Sequence, residues 1–310
     1  MRLGIFFGAR RETVSYDDLT QHVRRAEADG FSHFWVPHLP TLGFDALTTL
    51  ALVGRETTRI ELGTAVVPVY SYHPLALAQH ALTAQSASGG RLSLGIGLSH
   101  KPVVEDVMGL SYARPAGYMD EYLSVLRPLL SEGRVDFSGD VFKVNAQLHV
   151  QHSSPFPVLI AALAPRMLRL AGEQSDGTVT WMAGRQAIAS HIAPRIGDAA
   201  RAAGRPAPRI CVGLPIAVTD DEVKGRETAD QEFNRYGQLV NYRRMLDIEE
   251  VAGPADVAVV GNESQVEAQL RALADAGATD FLASIFPVGD DADASMTRTW
   301  NLLKALQGKI

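Results

Sequence analysis

The segment from Ile60 to His100 restricts the fold more than any other part of the chain. It contains a β-rich apolar run from Ile60 to Val67, a Leu- and Ala-rich helical pattern from Pro74 to Ala87, and a second apolar run from Arg91 to Gly97. Two short apolar strands joined by a helix form the parallel βαβ unit, which is buried on both faces. Pro, Ser, Tyr, His and Gly follow these strands, at the carboxyl ends where α/β barrels and open α/β sheets build their sites.

The same alternation of strand and helix runs along the whole chain. The candidate strands are Leu3–Phe7, Phe31–Val36, Ile60–Val67, Leu92–Ile96, Val158–Ala162, Thr178–Trp181, Ile210–Ala217 and Asp280–Ile285. The candidate helices are Tyr16–Asp29, Gly43–Thr57, Pro74–Ala87, Gly117–Leu130, Pro165–Glu173, Arg185–Ala203, Asp220–Leu246, Ser264–Ala276 and Ser295–Leu306. Eight strands alternating with helices over 310 residues are typical of a TIM-like (β/α)₈ barrel. We predict that residues 1–310 form one such α/β domain.

Two connections are longer than the others and are predicted to be insertions. Residues 101–157, after the fourth strand, hold a helix and a hairpin pattern, VDFSGDVFKV. Residues 219–279, after the seventh strand, hold a long charged helix and an extra turn. Connections of this length usually carry function or cover a site. A doubly wound fold is the alternative, but its glycine fingerprint belongs near the first strand. Here the candidate, Gly95-Ile96-Gly97, follows the fourth strand and has His100 at the sixth position.

Composition excludes several classes of function. The net charge is −6 without a basic run, which argues against a nucleic-acid or membrane-surface partner. Cys211 is the single cysteine, so an internal disulfide and a Cys-cluster metal site are excluded. There is no membrane-length apolar stretch, and MRLGIFF already has the pattern of a strand. We expect a cytoplasmic protein with a small-molecule substrate and no bound metal, and we expect it to form a homo-oligomer, as a homodimer.

Three ordered motifs resemble one family over almost the whole chain. GTAVVPVYSYHPLALAQHALTAQSASGGRLSLGIG resembles the hallmark of the luciferase-like (bacterial luciferase-type) flavin and deazaflavin oxidoreductases. AALAPRMLRLAGEQSDGTVTW and VVGNESQVEAQLRALADAGATDFL are similar to later landmarks of that family. The resemblance implies a barrel with its cofactor lying flat across the carboxyl ends of the strands.

Within that family, the short SYHPLALAQ form and the compact length are most similar to the branch that uses coenzyme F420, a 5-deazaflavin. The resemblance therefore implies an F420-dependent oxidoreductase that transfers a hydride to or from an unidentified small organic substrate. The first alternative is an FMN-dependent monooxygenase that acts with a flavin reductase. The second is a non-catalytic barrel that binds flavin or deazaflavin. A hydrolase is disfavoured because the chain has neither a Gly-x-Ser-x-Gly nor a His-Glu-x-x-His motif.

His38, just after the second strand, is the predicted catalytic residue. Strand alternation places Phe34, Val36 and His38 on one face, so His38 points into the barrel mouth if the first two fill the barrel. The resemblance implies a histidine at this strand end that meets the reacting ring or the substrate. An imidazole that titrates near neutrality suits proton exchange during hydride transfer. A capping or core histidine is the alternative.

The ends of the third and fourth strands are predicted to hold the cofactor ring. The resemblance implies a bulge in the third strand, with a non-proline cis peptide bond at Ala65–Val66 behind the ring. Gly95 and Gly97 leave the fourth strand without side chains, which would let a planar ring approach the backbone. A simple strand-to-loop turn is the alternative. The predicted ring contacts are Thr64, Ala65, Val66, Gly95, Gly97 and Ser99.

Two helix starts are predicted to bind the anionic tail of the cofactor or a phosphorylated substrate. Ala164-Pro165-Arg166 opens a helix whose first amides are free, and Arg166 adds a positive charge. The resemblance implies the same role for this turn and for Gly184-Arg185, after the sixth strand. Ordinary helix initiation with a solvated arginine is the alternative.

His100 and Trp181 are the predicted substrate contacts. The deazaflavin-dependent sugar-phosphate and alcohol dehydrogenases carry a carboxylate near the position of His100, and a tryptophan near that of Leu42. This chain departs from both patterns, so the resemblance implies neither their substrates nor their acid–base pair for it. Trp181 ends the sixth strand, where it walls the pocket or belongs to the core.

Overall fold

Twelve strands are present in the computed structural model, which describes residues 1–8 and 14–310. They are β1 (Arg2–Phe6), β2 (His33–Val36), β3 (Glu61–Thr64), β4 (Val67–Pro68), β5 (Leu92–Gly97), β6 (Arg134–Ser138), β7 (Lys143–Gln147), β8 (Val158–Ile160), β9 (Gly177–Trp181), β10 (Arg209–Val218), β11 (Val259–Gly261) and β12 (Asp280–Ile285). The strands β1, β2, β3, β5, β8, β9, β10 and β12 pair in parallel in that order, and β12 pairs with β1. The predicted eight-stranded TIM-like barrel is confirmed.

Helices follow the barrel strands and cover the outside of the ring. They are α1 (Tyr16–Ala28), α2 (Ala46–Val53), α3 (Pro74–Ala87), α4 (Pro115–Ser131), α5 (Pro165–Gln174), α6 (Arg185–Ala187), α7 (Ala193–Ala202), α8 (Glu222–Phe233), α9 (Val240–Ile248), α10 (Pro254–Val257), α11 (Glu263–Asp275) and α12 (Ala292–Ala305). Local capping fixes several starts: Ser15 and Asp18 form a capping box at α1, and Asp45 caps α2. Among the described residues, no helix is both long enough and apolar enough to cross a membrane.

The interior of the barrel is a small apolar cluster made of Phe6, Trp35, Leu159, Val179, Cys211 and Leu282. The expectation that Phe34 and Val36 fill the barrel was therefore wrong. Both belong to the larger core outside the ring, and Val36 borders a small cavity together with Leu19 of α1 and Thr49 of α2. Trp35 takes the inner side because Gly63 on the neighbouring strand leaves room for it. A Cβ at Gly63 would lie 2.2 Å from the indole of Trp35.

A charged cluster closes the amino-terminal end of the barrel. Arg209 donates hydrogen bonds to Asp280 (3.0 Å) and Glu61 (2.9 Å), and Nε2 of His33 lies 3.5 Å from Asp280. Trp35 donates to Nδ1 of His33 over 2.8 Å. Burial by itself would raise the pKa of Asp280, but His33 and the neighbouring arginines outweigh it and lower that pKa to about 2. This end of a barrel serves stability, since the sites of TIM barrels lie at the opposite end.

The two insertions are both present, with one difference from the prediction. The first contains α4 and the antiparallel β6–β7 hairpin, as predicted. In the second, the single predicted helix is two helices, α8 and α9, because a 3₁₀ turn at Asn234–Gln238 and an extended Leu239 (φ −88°, ψ 120°) separate them. The second insertion also contains the short strand β11, which pairs with β10 outside the ring and was not predicted.

Candidate active site

The third barrel strand breaks at the carboxyl end of the ring. β3 ends at Thr64, the Ala65–Val66 peptide bond is cis, and the chain resumes as β4 at Val67. The cis bond predicted from the family motif is confirmed. The buried hydroxyl of Thr64 donates to the carbonyl of Gly95 (2.8 Å) and accepts from its amide (2.9 Å), so this side chain ties β3 to β5.

The two glycines of β5 are needed by the broken strand beside them. A Cβ at Gly95 would lie 2.1 Å from the carbonyl oxygen of Thr64, and a Cβ at Gly97 would lie 2.5 Å from Cγ2 of Val66 and 3.2 Å from Cβ of Ala161. Close packing therefore accounts for both glycines, while their contact with a cofactor ring stays a prediction. We call the partly exposed, apolar residues Ala65, Val66 and Ala161 the shelf; its Ala65 and Val66 pack on the apolar cluster inside the barrel.

Two residues beyond strand ends adopt a left-handed backbone that side chains other than glycine rarely take. Ser99, just after β5, has φ 61°, and Met182, just after β9, has φ 55°. The carbonyl of Ser99 accepts a hydrogen bond from the hydroxyl of Tyr112 over 3.3 Å. Strained positions of this kind cluster at functional sites, and both lie at the carboxyl end of the ring.

His38 lies in the loop after β2 and is held by two groups that the sequence analysis missed. Its Nδ1 is 3.4 Å from Oδ2 of Asp45 and accepts a 3.4 Å hydrogen bond from the amide of Ala46. Asp45 is fixed in turn, because its Oδ2 accepts from the hydroxyl of Tyr72 (2.7 Å) and its Oδ1 from the amide of Thr48 (2.7 Å). Asp45 could have been identified from the sequence by its N-cap position ahead of α2. Its contact with Tyr72 could not, because the two residues are 27 positions apart and no local pattern joins them.

Burial and charge oppose each other at this histidine. Burial lowers the pKa of His38, although the carboxylate of Asp45 pulls in the other direction. Burial would raise the pKa of Asp45, but hydrogen bonds from Tyr72 and Thr48 outweigh it and lower that pKa. His38 is therefore neutral at pH 7 beside a carboxylate that stays ionised, and it is available to take up a proton.

The second insertion forms a lid of aromatic rings, Phe233, Tyr236 and Tyr242, at the mouth of the barrel. The ring of Trp181 lies 5.7 Å from Tyr236 and 6.2 Å from Phe233, and Tyr236 lies 5.6 Å from Tyr242. Tyr242 also lies 5.5 Å from the ring of His100, whose pKa is lowered by burial. The lid therefore links the two predicted substrate residues through tyrosines that the sequence analysis did not identify.

Trp181 reaches from the lid to the interior of the barrel. Its ring meets Phe6 edge-on at 5.4 Å and packs on the same apolar cluster as Ala65 and Val66. Its Nε1 is buried and has no hydrogen-bond partner among the residues that the structure describes. A buried donor without an acceptor is costly, and such groups are rare in folded proteins.

The two predicted anion sites differ in their surroundings. Ala164 begins α5 without a side-chain cap, Arg166 is exposed and forms no ion pair with a described residue, and a cavity of about 310 Å³ separates this turn from α9. At the other site, the amide of Ala187 already donates to Glu249 over 2.6 Å. Because a carboxylate occupies that turn, Gly184 and Arg185 offer a poorer place for an anion than the start of α5.

An apolar shelf, a neutral histidine and an unpaired indole N–H suit a planar organic cofactor. Such a ring needs a flat apolar surface, and its polar edge or its reaction partner needs donors nearby. Within the described part of the chain, no three His, Cys, Asp or Glu side chains are grouped so that they could hold a metal ion. The arrangement can therefore position a planar redox cofactor and exchange a proton with a molecule beside it.

Comparison with known proteins identifies the family. The model of the luciferase-like monooxygenase family matches residues 1–292. A 5,10-methylenetetrahydromethanopterin reductase from Archaeoglobus fulgidus is 34% identical over 182 residues, which cover 58% of this chain and only 52% of that relative. An F420-dependent hydroxymycolic acid dehydrogenase from Mycobacterium tuberculosis is 29% identical over 96% of this chain and 86% of the relative.

A solved structure has the same fold over the whole chain. It is an F420-dependent secondary alcohol dehydrogenase in complex with an F420–acetone adduct, with a TM-score of 0.79 at 20% identity, and the match covers 100% of this chain and 98% of the other. The chain belongs to the luciferase-like monooxygenase family.

Proposed function

We propose that this protein is an F420-dependent oxidoreductase, folded as one domain over residues 1–310, that transfers a hydride between the deazaflavin and a small organic substrate. The observation that carries the proposal is the shelf at the barrel mouth, formed where the third strand breaks at Ala65–Val66. The names of relatives that use F420 support this choice of cofactor over FMN.

The residues around the shelf would hold the cofactor. We assign the ring to the shelf and to the predicted contacts Thr64, Gly95, Gly97 and Ser99. We assign the anionic tail to the start of α5, with Ala164 and Arg166. Gly184 and Arg185 would make a weaker, secondary contact with the same tail. When bound, the deazaflavin supplies the two-electron chemistry, and the protein supplies orientation and proton transfer.

His38 would exchange the proton that accompanies hydride transfer. Its Nδ1 lies 3.4 Å from the carboxylate of Asp45 and 3.4 Å from the amide of Ala46, so a proton would be exchanged with the substrate at Nε2. A hydrogen on Nδ1 would face Asp45, which leaves Nε2 free to take up a proton and stabilises the imidazolium that results. Tyr72 holds that carboxylate in place through its hydroxyl. We propose His38 as the catalytic acid–base residue, with Asp45 and Tyr72 as positioning residues.

Fluorescence titration with coenzyme F420 and with FMN tests the proposal. We expect F420 to bind at low micromolar concentration or better and FMN about tenfold more weakly, a difference of about 1.4 kcal/mol. Arg166→Glu should weaken F420 binding, more so at low salt, whereas Arg169→Glu, on the same helix, is the matched control. Equal or tighter binding of FMN would favour the monooxygenase alternative. Failure to bind either cofactor would contradict the proposed function.

We also propose that the protein is cytoplasmic and works as a homodimer. Its acidic balance of 35 acidic against 29 basic residues supports a partner other than nucleic acid or an anionic membrane. Light scattering coupled to size-exclusion chromatography measures the oligomeric state, and a monomeric mass near 33.5 kDa would contradict the proposal.

A further inference from the structure

We propose that helix α9 couples the anionic tail of the cofactor to the lid, with Arg244 as the residue that contacts the tail. This inference rests on the proposed function, which places that tail at the start of α5. It goes beyond that function because α9 belongs to the second insertion, the segment that also supplies the lid rings. Through α9, a bound tail positions the lid at the barrel mouth.

One face of α9 borders the cavity of about 310 Å³ at the start of α5. The α9 residues that line this cavity are Asn241, Arg244, Met245, Asp247 and Ile248, and the turn that opens α5 faces them. Positions 241, 244, 245 and 248 have the spacing of a single helix face. The volume lies at the lower end of the range for ligand pockets, about 300–1,000 Å³. A group bound there contacts α5 and α9 together.

Arg244 brings a positive charge to the α9 side of this cavity. Asp247 also borders the cavity, but its Oδ1 accepts a 2.7 Å hydrogen bond from Nε of Arg243, which compensates its charge. On the opposite wall, Nε2 of His191 donates to the carbonyl of Leu163 over 2.7 Å and fixes the turn before α5. An anion in the cavity therefore meets the first amides of α5 on one side and a guanidinium on the other.

A different face of α9 carries a ring of the lid. Tyr242 precedes Arg244 by two positions, which turns the two side chains about 200° apart around the helix. The ring of Tyr242 lies 5.5 Å from that of His100 and 5.6 Å from that of Tyr236. The ring of Tyr236 lies 5.7 Å from that of Trp181. A shift of α9 toward a bound anion is therefore passed through packed rings to the barrel mouth.

The two ends of α9 are held differently, which leaves one of them able to adjust. At the carboxyl end, Arg243 donates to two carbonyls beyond the helix over 2.6 and 2.7 Å, and Glu249 accepts a 2.6 Å hydrogen bond from the amide of Ala187. At the amino end, Leu239 gives no side-chain hydrogen bond to the first turn. The turn that carries Tyr242 is therefore the part of α9 whose position responds to an occupant of the cavity.

Fluorescence titration with F420 and with FO separates the tail from the ring, because FO has the same ring and ribityl chain but lacks the anionic tail. Arg244→Ala should weaken F420 binding about five- to twentyfold, between the values for an exposed ion pair and a charge-assisted hydrogen bond, and change the Kd for FO less than about twofold. Arg244→Lys keeps the charge and should recover part of the affinity. Arg169→Ala, an exposed arginine of α5 that pairs with Glu173, is the matched control and should bind both compounds like the parent. An unchanged Kd for F420 in Arg244→Ala overturns the proposal.

The position of the lid is read by ¹⁹F NMR of fluorotryptophan protein, in which Trp181→Phe identifies the signal of Trp181. This resonance should differ between the F420-saturated parent and F420-saturated Arg244→Ala, since the two complexes share the ring and differ in the contact with the tail. Tyr242→Leu should keep the F420 affinity within about threefold but lose the response of Trp181 to Arg244→Ala, because the link to the lid is gone. Trp300, which donates to Asp29 in another part of the fold, should give the same signal throughout.

The outcomes separate this inference from the proposed function. A parent protein that binds F420, but whose Trp181 resonance is the same with and without Arg244, overturns the coupling alone. Retention of the response in Tyr242→Leu overturns the route through α9. A parent protein that does not bind F420 overturns the proposed function instead.

Discussion

The glycine at the end of β5 gives a sharp test of how the shelf is built. A Cβ at Gly97 would lie 2.5 Å from Cγ2 of Val66, more than about 1 Å inside an ordinary carbon–carbon contact. Overpacking of this kind costs about 1–3 kcal/mol, and the usual gain of about 0.4–1 kcal/mol for replacing glycine by alanine offsets part of it. We therefore expect Gly97→Ala to lower the free energy of unfolding by about 1–2 kcal/mol and to displace Val66 on the shelf.

A second substitution should relieve this clash. Val66→Ala removes the methyl group concerned, and the new Cβ at position 97 would then lie 3.7 Å from Cβ of residue 66, an ordinary contact distance. The milder contact with Cβ of Ala161, at 3.2 Å, would remain. The double variant should therefore be more stable than the sum of the single changes predicts, with a coupling free energy of about 1–2 kcal/mol. Gly95→Ala is the contrast, because its Cβ would lie 2.1 Å from the carbonyl oxygen of Thr64. A backbone atom cannot be trimmed, so Val66→Ala should not rescue that variant.

Urea unfolding of the parent, the single variants and the double variant measures the coupling, and F420 titration of the same four proteins measures the effect on the shelf. We expect the losses in stability and in affinity to appear together in Gly97→Ala and to recover together in the double variant. A Gly97→Ala protein as stable as the parent, with no coupling to Val66 but with weaker F420 binding, would refute the packing argument. The glycine would then be present to let the cofactor approach the backbone.

Two further predictions concern the histidines. His38→Ala should reduce turnover by about 10²–10⁴-fold while the affinity for F420 stays nearly unchanged. If the neutral ring of His38 acts as a base, kcat/KM of the parent should fall as the pH drops below 6.5 and passes through the lowered pKa of His38. A His38→Asn variant that turns over as fast as the parent would show that the role of His38 is structural. Burial lowers the pKa of His33 from 6.5 to about 4, so between these pH values the unfolded chain binds a proton that the folded chain does not. The free energy of unfolding should therefore fall by about 3 kcal/mol between pH 7 and pH 4. In the His33→Gln variant, the urea midpoint should fall less over the same pH range, because the titrating imidazole is gone.

The barrel could be predicted from the sequence because its signal is local and repeated. Each strand–helix unit has its own apolar run and its own helix start, and the order of such units fixes a parallel ring. The side of β2 that faces inward was predicted wrongly, because both faces of a barrel strand are apolar and the sequence alone does not distinguish them. Trp35 rather than Phe34 faces inward, and the deciding contact is with Gly63 on the neighbouring strand, 28 positions further along the chain.

The residues that were missed came from contacts between distant segments. Tyr236 and Tyr242 lie in a charged helical stretch, NRYGQLVNYRRM, where nothing local separates a lid from a solvated surface helix. The length of the insertion after the seventh strand indicated a cover for the site, but the turn at Asn234–Gln238 decides which rings face the barrel mouth. Such a turn depends on tertiary packing, which overrides the helical propensity of the flanking residues.

The division of the site between two parts of the chain has a consequence for specificity. The shelf comes from the break between β3 and β4 and from the turn after β8, and its shape is fixed by the glycines of β5 and by the barrel core beneath it. The lid comes from the second insertion, and its rings contact Trp181, His100 and Phe286. We therefore expect changes in the lid to alter the walls of the proposed substrate site while leaving the shelf intact. Because the shelf and the lid come from different segments of the chain, substitutions at Tyr236 or Tyr242 should change kcat/KM among substrates far more than they change cofactor affinity.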